Sequence, residues 1–150
     1  MPRKATAADA QLIMQLYDLR REAEMRKARA WFANFWPSSA EDILAVSQKF
    51  GSQENAWLRQ VGGYWEMATA MVLRGALNED LFFDANGELW FVFAKIQPYL
   101  KEVRERMNAP EAFRNTEKVV TGSKQGRERL QRMAKRAESF RKSLAESAKA

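Results

Sequence analysis

Glu66 is the one acid in a long, mostly apolar run, LRQVGGYWEMATAMVLRGAL (residues 58–77). A carboxyl held in such a setting can be kept protonated near neutral pH and serve as an acid or base. No second catalytic group stands at a telling spacing. The structural reading is therefore preferred: an ion pair with an arginine nearer the N-terminus, Arg20, Arg26 or Arg29, or a hydrogen bond to a neighbouring helix. Asn78, Glu79, Asp80 and Asp84 offer hard oxygens to Mg²⁺ or Ca²⁺. The following DANGE segment lacks the acidic positions and distal Glu of a calcium loop, so Asn78 and Asp84 read as helix caps and no metal is expected. Lys124, Arg127, Arg129, Arg132, Lys135, Arg136, Arg141 and Lys142 face only Glu128 and Glu138 locally, which makes an anion-binding face. Aromatic residues in WFANFW (residues 31–36) have the chemistry to stack on bases, but at helical spacing beside a proline they read as core. Gly122 and Gly126 fit neither a phosphate loop nor a dinucleotide fingerprint and read as a hinge.

What is missing narrows the chemistry further. The 150 residues contain no His and no Cys. Ser-His triads, thiolate nucleophiles, disulfides and the usual zinc and di-iron ligand sets are excluded. Carboxylates, Lys and Tyr remain. Residues 1–110 balance 14 Lys/Arg against 14 Asp/Glu, whereas residues 111–150 hold 11 against 5. The whole net charge of +6 thus sits in the last 40 residues, a basic tail on a neutral body. Charge follows MPRKATAADA too soon for a secretory h-region, so a cytoplasmic location is expected.

Helices must position these groups. A long first helix is expected from Thr6 or Asp9 to about Trp36, stopped by Pro37. Its Leu12, Leu16, Leu19 and Ala23 share one face. Ser38 with Glu41 fits a capping box for a short second helix ending at Gly51. Residues 53–74 do not alternate as a strand would, and Arg59, Glu66 and Arg74 interrupt any membrane span. They predict a central helix packed on both sides, with Gly62, Gly63, Glu66 and Ala70 on its small-residue face. Asn86-Gly87 between apolar runs is a strong hairpin signal. Against it, Leu89, Phe93, Ile96, Leu100, Val103 and Met107 recur at helical spacing, so a helix from about Asn86 to Met107 is preferred, capped by Asn86 or Asp84 and kinked at Pro98. A further short helix starts at Pro110 and stops at Gly122. The last helix, from Arg127 to about Ser147, carries Leu130, Met133, Ala137, Phe140 and Leu144 on a narrow stripe like a coiled-coil seam.

The segments LRREAEMRKARAWF (19–32), GGYWEMATAMVLRGALNEDLFFD (62–84) and ELWFVFAKIQPYLKEVRERMNAPEAF (88–113) resemble a family of uncharacterised bacterial proteins, a domain of unknown function. The resemblance covers about two thirds of the chain and leaves out the basic tail. It implies an all-α fold and no particular activity. Members of that family often carry an N-terminal membrane helix, which this sequence lacks.

Together these readings predict an all-α bundle of about five to six helices. Residues 1–122 form the helical domain. Residues 123–150 form a basic helix that docks its seam on Leu12, Leu16 and Leu19, in the same or a partner chain, through Leu130, Met133, Phe140 and Leu144. The expected function is a non-catalytic protein-interaction module with no cofactor, binding a protein partner or itself, without stable membrane insertion. The alternative is nucleic-acid binding through the basic helix.

Overall fold

The structure is a computed structural model that describes residues 3–150. Among the described residues there are eight helices and no strand: α1 (Ala7–Arg21), α2 (Ala23–Asn34), α3 (Ala40–Ser47), α4 (Gln53–Leu73), α5 (Glu79–Ala85), α6 (Glu88–Met107), α7 (Arg114–Thr121) and α8 (Lys124–Ala148). The all-α expectation holds, with more helices than the five to six expected. None of the described helices is long and apolar enough to cross a membrane.

The expected long first helix is two helices. Thr6 and Asp9 form a reciprocal capping box at the start of α1, and the break falls at Glu22, whose backbone leaves the helical region (ψ 146°). The Glu22 carboxylate then accepts from the Met25 amide and caps α2. Arg29 Nη1 donates to the Arg20 carbonyl, one of the last acceptors of α1. The break lets each half follow its own partner: α2 runs along α4, while α1 lies near α2 and α5.

The capping box expected for α3 is also shifted. Ser39 is the N-cap and makes no side-chain cap bond, while Asp42 accepts from the Ser38 amide at 2.8 Å and hydroxyl at 3.0 Å. Those donors hold the Asp42 carboxyl below its usual range.

Helix α4 is central, as its periodicity demands. Ser52 caps it, and Gly75 follows it with φ +77°, a left-handed turn that glycine adopts without strain. Trp65 and Ala68 are fully buried, and the buried Tyr64 hydroxyl donates to the Leu16 carbonyl at 2.7 Å. Helix α6 supplies the other half of the core with Leu89, Trp90, Phe93 and Ile96, all fully buried, and stays helical through Pro98.

The hairpin signal at Asn86-Gly87 marks a helix-to-helix corner. Phe82 and Phe83 on α5 and Leu89 and Trp90 on α6 all turn inward there. Asn86 does not cap α6. Its Nδ2 instead donates back to the Phe82 carbonyl at 3.1 Å, and Gly87 takes the N-cap position without a side-chain bond. Asp84 caps nothing, whereas Asn78 does cap α5, accepting from the Leu81 amide at 2.8 Å.

Gly122 to Gly126 is a tight corner, not a hinge. The Ser123 hydroxyl accepts from the Gly126 amide, and α8 begins at Lys124, before the expected Arg127. Gly126 is buried so close to α7 that an added Cβ would lie 2.4 Å from the Val120 carbonyl oxygen.

Candidate functional site

The small-residue face of α4 meets another helix, as expected: the start of α7. Phe113, in a left-handed conformation (φ 56°), starts α7 and brings its ring to 3.2 Å from where a Cβ on Gly62 would be. Phe113 has no side-chain oxygen with which to cap α7. Glu66 supplies the cap from α4: its Oε1 accepts from the Thr116 amide at 2.8 Å and its Oε2 from the Asn115 amide at 3.2 Å. A carboxylate on first-turn amides satisfies otherwise orphaned donors and opposes the positive end of the helix. Pro110 lies in the preceding turn and not inside α7.

None of Arg20, Arg26 and Arg29 pairs with Glu66. Arg29 Nε reaches both oxygens of Glu88 at 3.1 and 3.0 Å, and Arg20 lies 3.8 Å from the same carboxylate. Arg26 is exposed. The ion pair of the N-terminal arginines is real, but its acid is Glu88, at the start of α6, which faces α1 and α2. Replacing Glu66 by alanine is expected to cost about 1–3 kcal/mol, since two amides lose their acceptor. Glu66→Gln keeps one acceptor oxygen and should cost less. Urea unfolding with amide exchange at Asn115 and Thr116 checks this; unchanged exchange at both would remove the cap assignment.

The asparagine and acidic residues 78–84 belong to α5 and its cap. Among the described residues no group of three or more Asp and Glu lies close enough to hold a metal ion. The Asn78 amide instead donates to Asp9 Oδ1 at 2.9 Å, and Arg3 also binds the Asp9 carboxylate. With the Thr6 donors, these contacts hold the Asp9 carboxyl far below the usual carboxylate range.

The basic helix α8 packs within the chain on α6 and α7, not on the seam of α1. The reason lies in Trp90, whose fully buried indole donates from Nε1 to the Gly126 carbonyl at 3.1 Å. Arg129 lies over the same ring at 4.2 Å and donates from Nη1 to the Phe83 carbonyl at 2.8 Å. Leu130 is buried and Met133 half-buried against this base. On α1, Leu16 is buried and Leu12 is partly buried against the core, while Leu19 is half exposed.

The anion-binding candidates therefore divide. Arg129 is structural, and Arg127 donates to the Thr121 carbonyl. Lys124 pairs with Glu128, Lys142 pairs with Glu138, and Arg141 leans on the Tyr99 ring at 5.9 Å. Arg132, Lys135 and Arg136 form no ion pair among the described residues. Arg136 lies at the edge of a groove of about 400 Å³ lined by Ala33, Trp36, Phe91, Met133, Ala137 and Phe140. Phe140 rests on Trp36 at 4.7 Å yet remains 49% exposed, and Leu144 is 42% exposed one turn further on.

Lys95 was not singled out by sequence reasoning. It is fully buried, and its Nζ donates to the Phe32 carbonyl at 2.6 Å and to that of Ala33 at 3.4 Å. The rings of Trp36, Phe32 and Phe91 surround it at 4.1, 4.8 and 4.8 Å. Burial, helped by Arg141, pushes its pKa down to about 7, against which the carbonyls and ring faces hold the proton. Its immediate work is to close the C-terminus of α2, where carbonyls lack intrahelical donors. The signal for it was available: residues 89–96 are apolar except for Lys95, so a helix buried all round must bury that lysine too.

No curated protein and no solved structure matches the chain. A family model does match residues 5–123, ending at the serine that caps α8. From α1 through α7 the chain belongs to the family described as domain of unknown function (DUF4760).

Proposed function

We propose that the chain is a non-catalytic protein-interaction module that reads an acidic, amphipathic helix through the outer half of α8 and the groove at its root. The observation that carries this reading is the combination of exposed Phe140 and Leu144 with the unpaired Arg136 at the edge of the same groove. Beyond Ala137, no residue of α8 is buried. Three helical turns with so little support gain most of their stability from packing of an apolar face, and here that face lacks a cover. A second copy of the same helix would bring like charges together, whereas an acidic partner would be attracted.

A photo-crosslinking residue in place of Leu144, introduced into the protein in its native cells, tests the proposal. The expected result is a discrete adduct whose linked peptide is acidic and amphipathic, lost when Phe140→Asp is added. Crosslinking to nucleic acid, with binding that weakens steeply with salt, would overturn it in favour of the alternative reading. That alternative draws on Arg132, Lys135 and Arg136 but leaves Phe140 and Leu144 without a role.

A further inference from the structure

The glycine pair on α4 borders a pocket that the interaction surface does not use. It lies between α3, α4, α6 and the start of α7, with a volume of about 330 Å³. Ile43, Leu58, Ile96, Leu100 and Val103 line it, all buried and all apolar. Gly62 and Gly63 form its border on α4, flanked by Arg59 on one side and Glu66 on the other. Gly62 is filled against by Phe113, but a Cβ on Gly63 would meet nothing within 4 Å. Gly63 therefore opens onto vacant space at the mouth.

The two charged groups at this pocket are not equivalent. Both Glu66 oxygens already accept from α7 amides. Arg59 has no carboxylate partner among the described residues. It is held in place by Asn55, a residue only 1% exposed, whose Oδ1 accepts from Arg59 Nε at 3.0 Å. Asn55 is itself fixed, because its Nδ2 donates to the Val46 and Ser47 carbonyls at the end of α3, both at 3.0 Å. A buried amide thus aims a guanidinium whose Nη groups stay available for an anion. Phe50, 80% exposed on the loop after α3, also belongs to the lining.

We propose that this pocket binds a medium-chain monocarboxylate, with its chain between α4 and α6 and its carboxylate on Arg59. The volume accommodates on the order of ten methylene-sized groups at the ~30 Å³ a water-sized unit occupies. A single apolar cavity with one positioned cation at its edge suits one chain and one negative charge. The acid binds head toward Arg59, because Glu66 repels it from the opposite end. This site is separate from the α8 surface, so either assignment stands or falls without the other.

Decanoate at submicellar concentration is the probe, with 1-decanol as its uncharged counterpart, and binding to the full chain is followed by calorimetry and by chemical-shift changes. Decanoate should bind the wild type at least about tenfold more tightly than decanol. Arg59→Gln should abolish that preference while leaving decanol binding in place. Gly63→Leu should fill the pocket and remove both. Leucine is favoured over glycine in a helix, so this variant should fold at least as well as the wild type, as its thermal unfolding will report. Equal binding of acid and alcohol by the wild type would overturn the carboxylate assignment. Decanoate binding that persists in a folded Gly63→Leu variant, or shifts that map away from Leu58, Ile96 and Val103, would overturn the pocket.

Discussion

Replacing Lys95 by alanine is expected to destabilise the protein by about 3–5 kcal/mol at mildly alkaline pH, with the difference shrinking as the pH falls toward 6. Truncating a long buried side chain leaves a cavity, which costs about 2–5 kcal/mol for a comparable methionine. The Phe32 carbonyl then also loses its donor, at about 1–3 kcal/mol, partly within the same total. Removal of a cation from an apolar site acts in the opposite direction. The pH decides how much that relief counts. Lys95 has a folded pKa of about 7 against an ordinary 10.5. Between those values the unfolded chain binds more protons, so the wild type gains stability as pH rises from 7 to 10.5. Below pH 7 the full penalty of the buried ammonium is present. The alanine variant has no such group and lacks that slope. Urea unfolding of both proteins at a series of pH values measures the difference. Two stability curves that run parallel from pH 6 to 10 would show that Lys95 stays charged throughout, held by its carbonyls and rings.

Trp90→Ala is the second large effect, at about 3–5 kcal/mol. Its ring packs edge-on against Phe83 at 4.8 Å, lies under Arg129, and is hydrogen-bonded to the Gly126 carbonyl. Three elements, α5, α6 and α8, therefore meet on one side chain. The loss should be felt most in α8, whose N-terminal turns depend on that contact. Amide exchange across 127–137 should accelerate, and proteolysis near Arg127 should become faster. Trp90→Phe retains much of the packing and loses only the indole N–H, so it should cost about 1 kcal/mol. If α8 exchange is unaltered in the alanine variant, the helix is anchored by α7 instead.

Helix type was legible wherever an apolar period ran for several turns, as in α4 and α6. Even the Asn86-Gly87 signal yielded to the repeat that begins at Leu89, because that repeat gathers its residues on one side only as a helix. Boundaries set by capping across space were not legible. Glu22 breaks the first helix because two halves pack differently, and nothing local in RREAEMRKAR fixes the place. Glu66 was recognised as a satisfied acid, but its partners are backbone amides fifty residues away, which carry no side-chain signature. The preference for arginine partners was sound chemistry applied to the wrong acid, since Glu88 stands in an equally apolar setting. Within the chain α8 does not dock on α1, for a related reason. Two narrow stripes of matching period are complementary in principle, yet a buried indole in need of an acceptor on α6 outweighs that match.

The corner at Ser123 has a consequence for the family. The family match ends at Ser123, the residue before α8 begins. Helix α8 roofs Trp90 and supplies the acceptor for its indole. A relative that ends at this corner would leave the same wall of α6 open to water. Such a protein must either carry a smaller or more polar residue at the position of Trp90, or recruit a roof from another molecule. The wall of α6 is thus a socket, and in this protein the plug is encoded in the same gene.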